Sequence, residues 1–320
     1  MAARILAVGE SIMDVVVRPD GRQAHPGGSP ANIAYGLARL GHDVSLLTAL
    51  ADDEHGRRIA AHLEGAGVDV LEASWSAEHT STATATIGDD GAAQYDFDVT
   101  WSIPDSTVVP PAALLHSGSI AAFLEPGASA VEALFASERA RTLLSLDPNI
   151  RPALVGPHED ALARFERLAR LSDVVKLSDE DAEWLYPGVS VEDAAHRIRD
   201  LGPLVVAVTR GSEGALLVSA SAAIAVPGRR VEVADTIGAG DSFMSALLHV
   251  IAEELDASDG GLDVDAWRAA TDVDERTLAR LGDVAVRCAA ITCSRPGANP
   301  PTAAELAASY DVESRAASAS

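Results

Sequence analysis

Short apolar runs alternate with amphipathic helical patterns along most of the chain, and this alternation constrains the fold more than any other feature. Most of the apolar runs are continuous, so we expect strands that are covered on both faces, as in a parallel sheet between helices. The order of the patterns predicts an α/β fold with a mostly parallel central sheet. Strands are predicted at residues 4–10, 44–50, 114–120, 142–148, 173–178 and 204–209. Helices are predicted at residues 30–40, 54–66, 128–140, 158–171 and 190–201.

Two segments depart from this pattern. Residues 80–99 alternate small polar and apolar residues around a turn at residues 89–91, and residues 12–25 hold a second turn at Pro-Asp-Gly. We expect lid segments at about residues 12–25 and 80–101, which pair as a small antiparallel sheet outside the main one. An ordinary edge hairpin is the alternative.

Length and charge limit the classes of protein and partner. The 320 residues suit one domain, which we place at residues 1–310, with a disordered tail at residues 311–320. The chain carries 48 acidic and 24 basic residues, and its net charge of −24 repels nucleic acid and anionic lipid. It shows neither the apolar length of a membrane span nor the pattern of a secretion signal. We therefore expect a cytoplasmic protein without nucleic-acid or membrane partners.

The stretch DTIGAGDSF at residues 235–243 precedes a long apolar helical pattern. Gly238, Ala239 and Gly240 leave the first backbone N–H groups of that helix uncovered, and such groups attract an anion. Asp241 beside them is either an ordinary N-terminal acid or a general base for a hydroxyl that attacks a phosphoryl group. The stretch alone leaves both interpretations open.

A second helix start at residues 25–41 has similar features. Gly27 and Gly28 precede Ser29, which we expect at the N-cap, with Pro30 at the first helical position. Asn32 in the first turn offers both a donor and an acceptor to a sugar hydroxyl. A structural helix with a glycine-rich approach is the alternative.

The segments GGSPANIAYGLARLG and DTIGAGDSFMSALL resemble the two signature regions of the ribokinase-like carbohydrate kinases of the phosphofructokinase-B type. Other similar segments follow in the family's order: GESIMD, DPNIRPAL, KLSDEDAEWL, TRGSEG and CSRPGANPPT. The resemblance covers nearly the whole chain. It implies a three-layer α/β/α fold with a small β lid, and transfer of the γ-phosphoryl group of ATP to a sugar hydroxyl with Mg²⁺.

The resemblance also implies roles for individual residues. Asp241 would be the general base, Gly238, Ala239 and Gly240 would form the anion hole, and Arg151 would neutralise phosphate or bind substrate. The implied sugar-binding residues are Asp14, Gly27, Gly28, Asn32, Phe97 and Asp241. The implied nucleotide-binding residues are Lys176, Ser178, Thr209, Gly211, Gly214, Gly240 and Asn299.

The implied metal residues are less regular. The family often carries an Asn-x-x-Glu motif that organises Mg²⁺ through water, and this chain has Ser178 and Asp181 at those positions. Asp181 or the neighbouring Glu180 would serve Mg²⁺. Asp235, Ile237 and Gly297 would offer oxygens to K⁺.

The segments GESIMD, DPNIRPAL and KLSDED resemble the fructokinase branch, which implies phosphorylation of D-fructose to fructose 6-phosphate. The alternatives are a 2-keto-3-deoxygluconate kinase, another sugar, nucleoside or vitamin kinase, and a catalytically silent sugar sensor. The partners would be a small sugar and ATP. The lid strands could also pair between two copies of the chain to form a homodimer.

Overall fold

The computed structural model describes residues 4–18, 21–87, 93–104, 107–256, 264–269 and 273–318 of the 320-residue chain. Within these ranges the strands are β1 (Ile5–Val8), β2 (Ile12–Arg18), β3 (Gly21–Gly27), β4 (Val44–Leu47), β5 (Val68–Val70), β6 (Thr82–Ile87), β7 (Ala93–Asp98), β8 (Leu114–Gly118), β9 (Leu143–Asp147), β10 (Val174–Ser178), β11 (Val205–Thr209), β12 (Gly214–Val218) and β13 (Ala223–Pro227). The helices are α1 (Ser29–Arg39), α2 (Glu54–Glu64), α3 (Gly127–Glu138), α4 (His158–Leu171), α5 (Asp179–Leu185), α6 (Val191–Asp200), α7 (Ala239–Asp256), α8 (Val264–Ala269), α9 (Glu275–Cys293) and α10 (Ala303–Ser318).

The large sheet has nine strands in the order β13-β12-β11-β10-β9-β8-β1-β4-β5. The strands from β5 to β11 are parallel, and β12 and β13 add an antiparallel edge. All six predicted strands are confirmed. The short strand β5 and the antiparallel pair β12 and β13 lie at the two edges and were missed. In β13 exposed and partly buried positions alternate, unlike the continuous buried runs of the sheet interior.

The sheet separates two apolar cores. One core contains side chains of α1, α2, α7 and α9, and the other contains side chains of α3, α4, α5 and α6. This arrangement confirms the three-layer α/β/α fold. None of the described helices is long and apolar enough to cross a membrane.

A second sheet of four strands has the order β3-β2-β6-β7 and confirms the predicted small sheet. Strands β2 and β3 form one antiparallel hairpin and β6 and β7 another, while β2 and β6 pair in parallel between them. The turn predicted at residues 89–91 lies outside the described residues. The hairpin of β2 and β3 leads directly into α1, since β3 ends at Gly27 and α1 begins at Ser29.

Two helix boundaries differ from the predictions. Helix α1 begins at Ser29, and its N-cap is Gly28 with a φ of 102°, a left-handed conformation that suits glycine. Ser29 is therefore not the N-cap, and its hydroxyl bonds elsewhere. Helix α10 continues to Ser318, so helix extends into the segment at residues 311–320 that was predicted as disordered. Residues 303–318 are rich in alanine and contain neither Gly nor Pro, which favours helix.

Candidate active site

A cavity of about 400 Å³ lies where the carboxyl ends of β1, β8, β9 and β10 meet the first turns of α1 and α7. Ligands of open parallel sheets bind at this edge, because the loops there leave a crevice. The small sheet contributes Asp14, Ala83 and Phe97 to the wall. Many of the predicted site residues line this one cavity: Asp14, Gly28, Asn32, Phe97, Arg151, Lys176, Ile237, Gly238, Gly240 and Asp241.

Asp241 lies in the first turn of α7 and is held by two side chains of α1. The Ser29 hydroxyl donates to Asp241 Oδ1 at 2.7 Å, and Asn32 Nδ2 donates to Asp241 Oδ2 at 2.8 Å. Each carboxylate oxygen keeps further lone pairs, since an ionised carboxylate accepts at several positions. The carboxylate is thus oriented by two fixed donors and remains able to accept a proton.

The backbone before Asp241 is closely packed. Gly238 has a φ of 73°, and a Cβ there would lie 2.6 Å from Cβ of Ala298. A Cβ on Gly240 would lie 3.0 Å from Lys176 Nζ. The N–H of Ala239 donates to the Thr236 carbonyl at 3.2 Å, which is long for a hydrogen bond between backbone groups. Glycine is therefore required at position 238, and a side chain at position 240 would crowd Lys176 Nζ where the helix terminus opens to the cavity.

Lys176 places a positive charge below this helix terminus. Its side chain is 5% exposed, and Nζ donates to Asp147 Oδ2 at 2.9 Å. Burial by itself would lower the pKa of Lys176, but the carboxylates of Asp147, Asp181 and Asp241 outweigh burial and raise it. Lys176 is therefore a buried cation beside the predicted anion hole.

The predicted sugar-binding residues pack against one another. A Cβ on Gly27 would overlap the Asp14 carboxylate, and a Cβ on Gly28 would lie 2.5 Å from the Glu10 carbonyl oxygen. Burial raises the pKa of Asp14 to about 6, although His25 and Arg151 oppose the rise. The exposed Arg151 donates to the carbonyl of Ile150 and lines the cavity. The two glycines thus allow the Asp14 and Glu10 segments to come close to the start of α1.

A second cavity of about 580 Å³ adjoins the first, with Thr236 and Gly240 in the walls of both. It contains the predicted nucleotide residues Thr209, Gly211 and Gly214, and also Ala239. Its lining is mostly apolar, with Cys293 among the wall residues. Two joined cavities that meet at the start of α7 suit two substrates that react there.

The residues predicted for Mg²⁺ line neither cavity. Ser178 and Asp181 cap α5 reciprocally, with the Ser178 hydroxyl accepting from Asp181 N–H and Asp181 Oδ2 accepting from Ser178 N–H. Asp181 Oδ1 accepts from Ile150 N–H at 2.8 Å. Glu180 is exposed and lines a separate depression with His158 and Trp184. The structure therefore does not bring Glu180 to the site, and it gives Asp181 a structural role.

The three residues predicted for K⁺ lie together. Asp235 Oδ1 accepts from Ile237 N–H at 3.0 Å, and Asp235 Oδ2 accepts from Gly297 N–H at 2.9 Å. Both bonds lower the pKa of Asp235. Asn299 lines neither cavity, and its N–H donates to the Gly297 carbonyl. The Asp235 carboxylate thus joins the loop before α7 to the loop after α9.

Sequence reasoning missed several residues of the site. Glu10, Ser119 and Asn149 line the first cavity, and each follows a strand of the large sheet closely. Asp147, at the end of β9, is fully buried, and its Oδ1 has no hydrogen-bond partner among the described residues. The available signal was position, because polar residues directly after parallel strands gather at one edge of the sheet.

The chain resembles known carbohydrate kinases over almost its whole length. The fructokinase of Escherichia coli is 32% identical over 315 residues, which cover 93% of this chain and 95% of that protein. A double-mutant fructokinase from Vibrio cholerae O395, solved in its fructose-, ADP- and potassium-bound form, is 26% identical. Its TM-score is 0.79, and the match covers 96% of this chain and 99% of that one.

A third relative differs in substrate. Aminoimidazole riboside kinase from Salmonella enterica, solved with aminoimidazole riboside and an ATP analogue, is 25% identical with a TM-score of 0.78. The match covers 95% of this chain and 99% of that one. The model of the pfkB family carbohydrate kinases matches residues 2–305. Together with the three-layer fold and the two joined cavities at the start of α7, this match shows that the chain belongs to the pfkB family of carbohydrate kinases.

Proposed function

We propose that this carbohydrate kinase transfers the γ-phosphoryl group of ATP to the 6-hydroxyl of D-fructose, with Asp241 as the general base. The position of Asp241 is the observation that carries the proposal. It lies at the start of α7, where the two cavities meet, and two side chains of α1 orient its carboxylate. A base for phosphoryl transfer needs this location between an acceptor hydroxyl and an anion-stabilising helix terminus.

In the proposed reaction Asp241 takes the proton of the sugar hydroxyl. At the same time, the oxygen of that hydroxyl forms a bond to the γ-phosphorus of ATP. The bond between that phosphorus and the bridging oxygen breaks, and ADP leaves with the electron pair. The N-terminus of α7 at Gly238 and Gly240 stabilises the charge on the transferred group, because its N–H groups and dipole favour an anion. Lys176 adds a buried positive charge on the same side.

Fructose suits this cavity better than an anionic sugar acid does. Asp14, Glu10 and Asp241 make the inner wall acidic, and a carboxylate placed among them would be repelled. Arg151 is the residue that would favour 2-keto-3-deoxygluconate, but it is exposed at the rim and donates to backbone carbonyls. Phe97 on the small sheet covers apolar sugar carbons. The E. coli and V. cholerae relatives named as fructokinases support the same choice.

Two cations belong to the proposal. Mg²⁺ bound with ATP would neutralise charge on the β- and γ-phosphates. Asp147 would hold this ion through Oδ1, a hard oxygen ligand without a partner among the described residues. K⁺ would lie near Asp235, Ile237 and Gly297, which the structure holds together, and the V. cholerae relative binds potassium.

ADP release tests the proposal across acceptor classes. The panel contains fructose, ribose, 2-keto-3-deoxygluconate, aminoimidazole riboside and adenosine, and fructose is expected to have the highest kcat/KM. Another acceptor in first place would replace fructose as the substrate. Fructose binding without ADP release from any acceptor would identify a silent sugar sensor.

The Asp241→Asn variant tests the base. We expect kcat to fall about 10²–10⁴-fold because the amide cannot take the hydroxyl proton. Fructose affinity and thermal stability should change little, since the amide keeps one oxygen for Asn32 Nδ2 and its NH₂ group can donate to the Ser29 hydroxyl, which also accepts. Asp200→Asn is the control, because Asp200 is a surface acid at the end of α6. An Asp241→Asn enzyme with more than about a tenth of the wild-type kcat would rule out Asp241 as the general base.

A further inference from the structure

The peptide of Ala121 is held from both sides by buried side chains that the proposed mechanism does not use. Its N–H donates to Glu10 Oε2 at 2.9 Å, and its carbonyl accepts from the indole Nε1 of Trp101 at 3.1 Å. Glu10 is 2% exposed, Trp101 1% and Ala121 0%. We call these three residues the Ala121 clamp.

The clamp joins three parts of the molecule at the cavity. Glu10 follows β1 of the large sheet, Ala121 lies in the single helical turn Ser119–Ala122 after β8, and Trp101 follows β7 of the small sheet. A Cβ on Gly9 would lie 3.1 Å from Cβ of Ala121, so the Glu10 segment and the turn are in direct contact. The position of the turn therefore depends on both sheets.

The turn carries a strained residue into the cavity wall. Ser119 has a φ of 52° and Asn149 a φ of 37°, and these are the non-glycine residues with positive φ in the described part of the chain. Both line the cavity, and Asn149 Nδ2 lies 3.5 Å from Ser119 Oγ. The Ser119 side chain also lies beside Glu10 and lowers the pKa of that carboxyl. Strained backbone of this kind persists where neighbouring contacts enforce it, and it is common at binding sites.

We propose that Glu10 and Trp101 are positioning residues that hold the turn Ser119–Ala122 against the sugar, so that sugar affinity depends on the Ala121 clamp. The inference rests on the proposed function for its substrate, fructose. Neither residue exchanges protons or phosphoryl groups in the reaction. Glu10 acts through Ser119 and Ala121, and Trp101 extends the same hold to the small sheet.

Protonation of Glu10 gives the clamp a measurable signature. Burial raises the pKa of Glu10 to about 7, with a smaller rise from Asp241, while its hydrogen bonds oppose the shift. The other charged residues that line the same cavity are Asp241 on α7, Asp14 on β2, Lys176 on β10 and Arg151 after β9. The carboxylate accepts from Ala121 N–H and is favoured by the neighbouring Ser119 side chain, whereas the protonated acid loses one acceptor. The hold of Glu10 on the Ala121 peptide should therefore be strongest at pH values above the pKa of Glu10.

Steady-state kinetics of Glu10→Gln and Glu10→Ala measure this signature. Glutamine keeps one oxygen for Ala121 N–H, so at about pH 6 the KM of Glu10→Gln for fructose should be within about twofold of the wild-type KM. At about pH 8.5, where wild-type Glu10 is ionised, the KM of the variant should be about fivefold higher than the wild-type KM. Asp14 titrates in both proteins, so the ratio of the variant KM to the wild-type KM at each pH reports the effect of Glu10 alone. Glu10→Ala should raise the KM for fructose about tenfold or more at both pH values, while the KM for ATP stays within about twofold.

The control is Glu138→Gln, which changes another buried acid, paired with Arg141 far from the cavity. It should leave both KM values unchanged. A KM ratio for Glu10→Gln that is the same at both pH values, or equal rises in the KM for ATP and fructose, would overturn the proposal.

Hydrogen exchange at the Ala121 amide tests the clamp without turnover. We expect exchange to be about tenfold or more faster in Glu10→Ala than in wild type, and faster in Trp101→Phe, which removes the indole donor. Unchanged exchange in both variants would overturn the clamp even if fructose is phosphorylated. Faster exchange with no phosphorylation of fructose by wild type would instead reject the proposed substrate while the clamp stands.

Discussion

At the scale of single residues, the site depends on side chains that make two kinds of contact: one with a charged group of the site and one that joins separate elements of the fold. Ser29 and Asn32 orient Asp241 and, in doing so, connect α1 to α7 across 212 and 209 positions of sequence. Lys176 neutralises Asp147 and also faces Gly240 below the helix terminus. Because both partners of the Lys176–Asp147 pair are buried, neither charge can be removed alone without a large cost.

We predict that Lys176→Met lowers the free energy of unfolding by about 3–5 kcal/mol, since it leaves the Asp147 carboxylate buried without its cation. Urea denaturation at neutral pH measures the loss. The double variant Lys176→Met/Asp147→Leu removes both charges and should recover most of the stability. If Lys176→Met lowers the free energy of unfolding by less than about 1 kcal/mol, the buried ion pair is contradicted, because an exposed ion pair contributes that much.

At the scale of elements, the packing of α1 on α7 positions Asp241 and its two donors. Gly36 lies where the helices approach, and a Cβ there would lie 2.5 Å from Ser245 Oγ. Ser245 in turn donates to the Asp241 carbonyl at 2.8 Å. A larger residue at position 36 would therefore push apart the two helices that carry Asn32 and Asp241.

Gly36→Ala should lower the free energy of unfolding by about 1–3 kcal/mol through overpacking, and kcat/KM should fall with it. Ser245→Ala removes the closest atom, so the double variant should regain part of both losses. Gly65→Ala is the matched control, because Gly65 is the exposed C-cap residue of α2 and has an ordinary helical φ. Equal melting temperatures and rates for Gly36→Ala and Gly65→Ala would show that the crossing is not tight.

The small sheet is the second element that acts on the site. Asp14 on β2, Ala83 on β6 and Phe97 on β7 all line the first cavity, where the sugar is proposed to bind. Fructose should slow amide exchange in β2, β6 and β7, because a bound sugar adds contacts to one face of the sheet and excludes water. Exchange in α6, which is distant from the cavity, is the internal control. Identical exchange in the small sheet with and without fructose would exclude a lid.

At the scale of the whole molecule, the charge of −24 opposes the binding of one proposed substrate, ATP, and not of the other, fructose. ATP is anionic and approaches a negative surface, whereas fructose is neutral. Salt screens this repulsion, since the Debye length is about 10 Å at 0.1 M. Lys176 and the start of α7 attract phosphate only at short range.

Raising the ionic strength from about 0.05 M to about 0.2 M should therefore lower the KM for ATP about two- to fivefold. The KM for fructose should stay constant and serves as the internal control. Tetramethylammonium chloride at constant K⁺ and Mg²⁺ separates screening from specific ion binding. A KM for ATP that rises with salt would show that local positive charge, not the global field, dominates the approach of the nucleotide.

The sequence by itself determined the strands of the sheet interior, the principal helices, the two glycine-rich helix starts and the family. These features depend on local periodicity, on capping residues and on short motifs, so each can be recognised within one segment. The places of Gly28, Gly238 and Asp241 at the two helix starts were predictable for the same reason.

Only the tertiary structure decided which polar groups meet. Ser29, predicted as a helix cap, donates to Asp241 instead, and Ser178 and Asp181 cap α5 reciprocally. Glu180 lies outside both cavities, and Glu10 accepts from the N–H of Ala121. These contacts join residues from separate strands and helices, some more than 100 positions apart. Local spacing cannot specify them, because the direction of a side chain at a strand end depends on which neighbouring strand and helix pack beside it.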